Sequence, residues 1–439
     1  MKKRYFGTDG IRGPVGGDVM NPVFILTLGR AIGAVLCENT AEKPVVYIGR
    51  DTRVSGETLQ SELQAGLLTA GCDVVLLGVL PTPAIAYLTK KNHAAAGIVI
   101  SASHNVYSDN GIKMIGSDGF KLSDAWELAI ERCLCRDAIN RVSTGRVSTA
   151  MQDDVAVTQY IQHCTQLFSS LNLSDKKIVL DCANGATSFV APTIFNMLGA
   201  DVILIHANPN GTNINDHCGA TNVSDLQQKV LQEKADVGLA FDGDGDRLIM
   251  VDHQGERVDG DEILCILAMH TKQKAVVGTL MSNLGLEKAV KARGMQFERA
   301  QVGDRYVLAK LQENHWRLGG EGSGHIVNLD YATTGDGILT GLQILQAMQI
   351  SQQSLYALKQ GMKKRPQVLI NVPVKDVSQF SMMHELKMAA EQLQIHMGEA
   401  GRVLLRASGT ESCIRVMVEC DDEISARTHA ETLASRVIT

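Results

Sequence analysis

Three stretches of the chain repeat one plan: a β-branched run, a turn rich in Gly, Asn and Asp, a helical segment ending at a glycine, and a second apolar run. They begin at Val45, Ile178 and Ala275. Two strands joined through one helix run parallel, because parallel neighbours need such a crossover, and glycine suits the left-handed end of a helix. The repeated plan therefore predicts α/β units built on parallel strands.

The C-terminal part of the chain follows a different plan. After Pro366 come an alternating run from Val368 to Val374, a helical segment near 380–393, and two strand-like runs starting at Arg402 and Ile414. Runs of this kind predict an α+β domain. With 439 residues and roughly 150 residues per domain, the sequence predicts three α/β domains followed by a smaller α+β domain. The best linker candidates are residues 140–154 and 363–366.

Charge and composition exclude several classes of protein. Lys and Arg number 42 against 48 Asp and Glu, a net charge of −6, which gives no general attraction to nucleic acid or anionic membrane. The basic start is followed by Tyr5 to Gly10 rather than by an apolar signal segment, and no apolar run approaches the length of a membrane span. Ten cysteines without C-x-x-C pairs indicate reduced thiols, so we expect a cytoplasmic protein.

An acidic loop carries the strongest chemical signal. Asp242, Asp244 and Asp246 alternate with glycines directly after the apolar run Val237 to Phe241. Three neighbouring carboxylates repel one another unless a cation neutralises them, and glycines let the backbone bring them together. An EF-hand is excluded, since its required glycine and glutamate positions hold Arg247 and His253. The loop therefore predicts one octahedral Mg²⁺ per chain.

Segment 101–105 also follows a predicted strand and places Ser103 beside His104. Adjacency in sequence does not make a catalytic pair, so an incidental neighbour remains an open interpretation. No Gly-Lys dipeptide occurs, which excludes a Walker A loop, and neither a G-x-S-x-G elbow nor a G-x-G-x-x-G turn after a strand is present. These absences disfavour P-loop hydrolysis, acyl-enzyme chemistry and dinucleotide binding.

Three further loops combine glycine with polar side chains. Segment 319–325 is rich in groups suited to sugar hydroxyls, although a flexible surface loop stays open. Segment 406–412 with Arg415 resembles a phosphate cradle, with a solvated turn as the alternative. Segment 49–56 carries two arginines, and we expect Ser55 to cap the following helix.

Taken together, these segments resemble the α-D-phosphohexomutase superfamily over the whole chain. They are FGTDGIRG, GRDTRVSG, SASHN, DNGIK, DGDGDR, GGEGSGH and RASGTE, in that order. The resemblance implies three similar α/β domains with mixed sheets plus a smaller C-terminal α+β domain around a central cleft. The expected domains are residues 1–153 with the phosphoserine loop, 154–254 with the Mg²⁺ loop, 255–366 with the sugar-recognition loop, and 367–439 with the phosphate loop.

The resemblance also implies roles for single residues. Ser103 would bear the transferable phosphate and ligate Mg²⁺ together with Asp242, Asp244 and Asp246. Around the reacting oxygen the matching positions are Arg12, Lys113, Arg247 and His325, with Lys113 and His325 the better acid or base candidates. The positions that match substrate contacts are Glu321 and Ser323 for sugar hydroxyls, and Arg406, Ser408, Gly409, Thr410 and Arg415 for the distal phosphate.

The implied reaction moves phosphate between O6 and O1 of a hexose phosphate through a phosphoserine and a 1,6-bisphosphate, which also serves as activator. FGTDGIRG and VGDRYV, residues 302–307, are similar to members acting on glucosamine phosphates, which supply UDP-N-acetylglucosamine and cell-wall precursors. A sister mutase for glucose or mannose phosphates is the alternative. A Mg²⁺-dependent phosphatase or a non-catalytic binder is disfavoured. We expect a phosphosugar partner, no nucleic acid and no membrane, and the sequence leaves the oligomeric state open, a homodimer included.

Overall fold

The computed structural model describes residues 3–135, 148–375, 380, 383–407 and 412–437, and within them four separate β-sheets. The first three sheets mix parallel and antiparallel strands, and the fourth is antiparallel throughout. This arrangement confirms the predicted fold class of three α/β units followed by a smaller α+β unit.

The first sheet has the strand order β1-β5-β4-β2-β3-β6. Its parallel centre is β4-β2-β3-β6, and β5 runs antiparallel to both of its neighbours. The strands are β1 (Ile11–Pro14), β2 (Val45–Arg50), β3 (Asp73–Val79), β4 (Ala96–Ile100), β5 (Asp109–Gly116) and β6 (Ala150–Gln152), and the helices are α1 (Pro22–Asn39), α2 (Gly56–Ala70), α3 (Thr82–Lys91) and α4 (Asp124–Leu134).

The second sheet has the order β11-β10-β9-β7-β8, with β7 parallel to β8 and β9. Its strands are β7 (Lys177–Asp181), β8 (Asp201–Ile205), β9 (Val237–Phe241), β10 (Leu248–Asp252) and β11 (Arg257–Val258), and the helices of this stretch are α5 (Ala156–Leu167), α6 (Ala191–Met197) and α7 (Ser224–Glu233). Short 3₁₀ turns at Ala186–Phe189 and Gly219–Thr221 precede α6 and α7.

The third sheet has the order β13-β12-β14-β15, and only β14 and β15 pair antiparallel. Its strands are β12 (Ala275–Thr279), β13 (Gln296–Ala300), β14 (Leu318–Gly320) and β15 (Ile326–Asn328), and the helices are α8 (Gly260–His270), α9 (Leu284–Ala292), α10 (Asp304–Glu313), α11 (Gly337–Ser351) and α12 (Leu355–Lys359). Helix α8 starts at a capping box, in which Asp259 and Glu262 satisfy each other's backbone N–H groups.

The fourth sheet has the order β16-β18-β17, formed by β16 (Gln367–Pro373), β17 (Arg402–Ala407) and β18 (Cys413–Glu419), and is accompanied by α13 (His384–Met397), a 3₁₀ turn (Gly398–Ala400) and α14 (Glu423–Ala434). An ion pair within this sheet also makes the hydrogen bonds that join it to the preceding unit. Arg402 pairs with Glu419 and donates to the carbonyls of Leu280 and Ser282, while Glu419 accepts from Leu284 N–H at the start of α9.

The three repeated units are confirmed. In each one, the two predicted strands pair parallel with the predicted helix between them, as β2-α2-β3, β7-α6-β8 and β12-α9-β13. Gly71 ends α2 with a φ of 102°, the left-handed conformation expected of a glycine at that place. The predicted start of the C-terminal helix, near residue 380, is about four residues too early, because α13 begins at His384. The domain boundaries remain predictions.

Packing differs between the first three units and the fourth. One apolar cluster runs through the first three, from Tyr47 through Phe168 and Phe241 to Leu318, whereas the fourth sheet has its own core. Helix α1 is long and apolar enough to cross a membrane by length and composition, but half of it is buried, and its Gly29 lies against Gly66 of α2. The ten cysteines all lie in the described residues, and none of them forms a disulfide there.

Candidate active site

Loops that follow the carboxyl ends of β4 and β9 meet at one point. Ser103, three residues after β4, is 1% exposed and has a φ of 53°. Its hydroxyl donates to Asp242 Oδ2 at 2.6 Å, directly after β9. A non-glycine residue in the left-handed region costs free energy and persists where the surroundings hold it, often at functional sites. The fold thus joins the predicted serine to the predicted acidic loop.

The three aspartates form a compact group, as the sequence predicted. One carboxylate oxygen from each of Asp242, Asp244 and Asp246 lies within 4.8 Å of the others, and all three side chains are buried. Among the described residues, Oδ1 of Asp244 and Oδ1 of Asp246 are buried without a hydrogen-bond partner. Burial and the neighbouring Asp246 and Asp244 raise the pKa of Asp242 well above its usual range. Unpaired buried carboxylate oxygens are ligands that fit a hard divalent cation.

Lys113, on β5, supplies positive charge to this group. Its Nζ lies 2.7 Å from Asp244 Oδ2 and 3.2 Å from both Asp246 Oδ2 and Asp9 Oδ2. Burial opposes the charge, but Asp244 and Asp246 outweigh it and raise the pKa of Lys113 well above its usual value. Lys113 is therefore an ammonium held in place by carboxylates, which suits a proton donor or a fixed charge and not a proton acceptor.

His325, after the glycine-rich loop, lies on the other side of Asp246. Its Nδ1 is 3.6 Å from Asp246 Oδ1 and its Nε2 is 3.5 Å from Asp304 Oδ2. Gly335 N–H donates to Nε2 at 3.2 Å, so in the neutral ring the proton stands on Nδ1 and faces Asp246. Burial lowers the pKa of His325, but Asp246 outweighs burial and raises it. The site thus brings together both acid or base candidates.

Two arginines border the aspartates. Arg12 on β1 pairs with Asp9, and Arg247 Nε lies 3.8 Å from Asp246 Oδ1 and 4.0 Å from Asp242 Oδ2. In the part of the chain that the structure describes, the Nε atoms of Arg12 and Arg247 are buried and make no hydrogen bond. Buried guanidinium donors without acceptors fit an anion such as phosphate.

His104 contacts Ser103, although their adjacency in sequence alone could have been incidental. Its Nδ1 lies 3.4 Å from Ser103 Oγ. Burial, followed by the charges of Arg247 and Arg12, lowers the pKa of His104 to about 4. The imidazole is therefore neutral near pH 7, and its Nδ1 faces the hydroxyl.

No sequence pattern predicted the support beneath Ser103. Arg53, 1% exposed, donates from Nε to Asp51 Oδ2 at 2.8 Å. Its other four N–H groups reach backbone carbonyls of the serine loop and of the start of β5, those of Ser103, Asn105, Val106 and Asp109. All five donors of the guanidinium are thus used to hold this loop.

Two further contacts complete that support. Asp51 Oδ2 accepts from Ser101 Oγ, which in turn accepts from Ser103 N–H. From the second unit, Asn215 Nδ2 donates to the carbonyls of Ser103 and Asn105 at 2.8 and 2.9 Å. Ser55 is the N-cap residue of α2, as predicted, but its side chain makes no cap hydrogen bond, and its Oγ accepts from Asn110 Nδ2.

The predicted sugar contacts lie on the loop between β14 and β15. Glu321 Oε1 accepts from Gly303 N–H at 2.9 Å, and its charge acts on Arg247. Ser323 is exposed on the same loop. The loop therefore extends from His325, beside the aspartates, to an accessible hydroxyl.

Arg406 and Arg415 stand directly opposite each other on β17 and β18. Like charges in this position destabilise a sheet unless an anion lies between them. Burial, followed by the charge of Arg415, lowers the pKa of Arg406, and within the described residues Arg406 Nε is buried without a hydrogen-bond partner. Three other predicted members of this loop, Ser408, Gly409 and Thr410, lie outside the described residues.

Family models match nearly the whole chain. They describe phosphoglucomutase/phosphomannomutase α/β/α domain I at residues 3–139, domain II at 158–255, domain III at 259–365, and the C-terminal domain at 369–435. The chain therefore belongs to the phosphoglucomutase/phosphomannomutase family, the α-D-phosphohexomutase superfamily.

Within that family, the chain is similar over its full length to proteins named phosphoglucosamine mutase. The relative from Coxiella burnetii strain Dugway is 53% identical over 444 residues, covering 100% of this chain and 99% of its own, and that from Escherichia coli O81 is 51% identical over 442 residues, covering 99% of each. Among solved structures, a phosphoglucomutase/phosphomannomutase family protein from Burkholderia thailandensis has a TM-score of 0.83 at 23% identity, covering 98% of this chain and 96% of its own. That structure supports the fold alone.

Proposed function

We propose that this chain interconverts glucosamine 6-phosphate and glucosamine 1-phosphate through a phosphoserine at Ser103 and a 1,6-bisphosphate intermediate, in the cytoplasm. The product would supply UDP-N-acetylglucosamine and cell-wall precursors. One observation carries the proposal: Ser103 Oγ lies 2.6 Å from Asp242 Oδ2 within a group of three buried aspartates, in a chain about half identical to phosphoglucosamine mutases throughout.

The carboxylates of Asp242, Asp244 and Asp246, together with an oxygen on Ser103, would hold one Mg²⁺. The donor set supports this assignment, because it consists of oxygens only and two of them have no hydrogen-bond partner within the described residues. Bound there, the ion would offset the negative charge of the phosphate in transfer. Before phosphorylation, the Ser103 hydroxyl donates a 2.6 Å hydrogen bond to Asp242 Oδ2, which orients Oγ.

In the first half-reaction, phosphate would pass from Ser103 Oγ to O1 of the sugar, O1 would lose a proton, and Oγ would take one up. In the second, the 6-phosphate of the bisphosphate would return to Ser103 after the intermediate turns over. Lys113, protonated and buried, would stabilise charge or donate a proton. The proton of the attacking hydroxyl would pass to an imidazole, for which His325 on the glycine-rich loop is the candidate that lies between two carboxylates.

Each of the four expected domains, 1–153, 154–254, 255–366 and 367–439, would donate one loop. Arg12 and Arg247 would contact the transferring phosphate, and Glu321 and Ser323 the sugar hydroxyls. The distal phosphate would bind at Arg406 and Arg415 with Ser408, Gly409 and Thr410. A phosphate that bridges the guanidiniums of the facing arginines would relieve their repulsion. We further propose a sugar 1,6-bisphosphate as activator. Whether the chain forms a homodimer is tested by its molecular mass in solution, measured hydrodynamically.

The test is turnover of glucosamine 6-phosphate, glucose 6-phosphate and mannose 6-phosphate side by side, each primed with its bisphosphate. We expect kcat/KM to be highest for the amino sugar by at least about tenfold, or 1.4 kcal/mol. Equal or better turnover of a neutral sugar would indicate a sister mutase. Stoichiometric release of inorganic phosphate without isomerisation would indicate a phosphatase and contradict the proposal.

A further inference from the structure

A second group of metal-ligating side chains lies in the unit of the second sheet, outside the cluster around Ser103. Asp181 ends β7, His206 follows β8 directly, and Cys218 precedes the 3₁₀ turn before α7. One potential ligand atom of each lies within 4.8 Å of the other two. Asp181 and Cys218 are fully buried, while the side chain of His206 is 26% exposed.

The separation between Asp181 and His206 suits two ligands of one metal ion. His206 Nδ1 lies 3.2 Å from Asp181 Oδ2, yet this buried nitrogen has no hydrogen-bond partner anywhere in the described chain. Two ligand atoms at about 2.0 Å from a tetrahedral Zn²⁺ are separated by roughly 3.3 Å. The observed separation therefore matches that of two ligands on one tetrahedral ion.

The surroundings orient both side chains. Backbone N–H groups of Ala183 and Gly219 donate to Asp181 Oδ1 and Oδ2, each at 2.9 Å, and fix the carboxylate. On the far side of the imidazole, His206 Nε2 lies 3.3 Å from Asp225 Oδ2. A metal-bound histidine commonly donates its second N–H to a carboxylate, which sets the tautomer and turns the free nitrogen toward the ion.

We propose that Asp181 Oδ2, His206 Nδ1 and Cys218 Sγ bind one divalent transition-metal ion of the Zn²⁺ type, with Asp225 orienting the histidine. A sulfur, a nitrogen and an oxygen select such an ion over Mg²⁺. On binding, the thiol proton of Cys218 leaves to solvent, so that one carboxylate and one thiolate balance the two charges of the ion. The exposed part of His206 leaves room for water as a fourth ligand.

The site would act as a clamp for the serine loop. Asn215, three residues before Cys218, donates to the carbonyls of Ser103 and Asn105, and its own N–H donates to the carbonyl of Ala183. A metal at Asp181, His206 and Cys218 would fasten the segment carrying Asn215 to the ends of β7 and β8. This role is structural and does not depend on which sugar phosphate the enzyme accepts.

The alternative to a metal ion at this site is a proton on His206. A doubly protonated His206 would bridge Asp181 and Asp225 as a plain ion pair, and Cys218 would then be a buried thiol without a ligand role.

A cobalt titration distinguishes the two. Full-length protein is treated with a chelator, returned to Mg²⁺ buffer, and titrated with Co²⁺. We expect one equivalent to produce the near-ultraviolet thiolate-to-cobalt absorption band and Zn²⁺ to abolish it. No band, or a band without saturation at one equivalent, overturns the proposal.

Matched variants locate the ion. C218S should lose the band, whereas C265S, which alters another buried cysteine, and D244N, in the acidic loop, should keep it. D225N changes a side chain that is 59% exposed and should weaken Zn²⁺ binding by about tenfold to a hundredfold without unfolding the protein. A band that persists in C218S, or Zn²⁺ affinity unchanged in D225N, refutes the assignment even if C218S folds poorly.

Discussion

Replacing Arg53 by lysine tests the support beneath Ser103. The guanidinium makes five hydrogen bonds to buried or partly buried acceptors, whereas an ammonium offers three donors, so at least two of these hydrogen bonds are lost. Each lost hydrogen bond contributes about 0.5 to 1.5 kcal/mol, giving about 1 to 3 kcal/mol for R53K. In a unit of this size each kcal/mol lowers Tm by about 2 to 4 °C. We therefore expect R53K to lower Tm by at least about 2 °C.

The same change should reach the chemistry. Arg53 contacts no reacting atom and acts through the backbone carbonyls of Ser103 and Asn105. With those bonds broken, the strained backbone of Ser103 is held, within the described residues, only by Asn215 and Ser101. Phosphorylation of Ser103 by added bisphosphate should therefore slow by about tenfold, equal to 1.4 kcal/mol. KM for glucosamine 6-phosphate should change little, because no predicted substrate contact is altered. The assay is intact-protein mass spectrometry after timed quenching.

R317K is the matched control. Arg317 is 54% exposed and pairs at the surface with Asp330, so its replacement should change stability by less than about 0.5 kcal/mol. If R53K showed the Tm of R317K and phosphorylated Ser103 at the wild-type rate, the positioning role of Arg53 would be wrong.

Three further predictions follow from the described contacts. D244N should weaken Mg²⁺ binding and lower turnover together, and full activity after chelator treatment would argue against the metal site. R406A should raise KM at least about tenfold for 6-phosphate and 1-phosphate substrates alike, so very different shifts in the two directions would assign Arg406 another role. Burial raises the pKa of Asp336 to about 6 from 3.8, which disfavours its charged form in the fold. The unfolding free energy of the wild type should therefore gain on the order of 2 kcal/mol relative to that of D336N as pH falls from 7 to 4. The same pH dependence of urea denaturation in both proteins would contradict this.

The repeated units and the acidic loop were readable from sequence because their signals are local. A β-branched run followed by a helix ending in glycine fixes β2-α2-β3 without reference to the rest of the chain. In the same way, three alternating carboxylates indicate a cation wherever the loop lies. The proposal that Ser103 is the reactive group needed the family resemblance, since a serine next to a histidine in sequence does not by itself indicate a catalytic pair.

What sequence could not supply depends on contacts between distant segments. Arg53 and Asp51 reach the serine loop about fifty residues away, and Asn215 reaches it from the next unit. A loop residue that binds a backbone carbonyl leaves no pattern in the sequence. The partner of the Ser55 hydroxyl is a further example, because Asn110, far along the chain, donates to it.

The central claim is that the phosphate on Ser103 moves to O1 of the sugar and that the 6-phosphate of the same sugar then takes its place on Ser103. The most direct measurement loads Ser103 with isotopically labelled phosphate, adds unlabelled glucosamine 6-phosphate for a single turnover, and locates the label after quenching. The account predicts label on O1 of the product and unlabelled phosphate on Ser103. Label released as inorganic phosphate, or label still on the protein after product has formed, would contradict it.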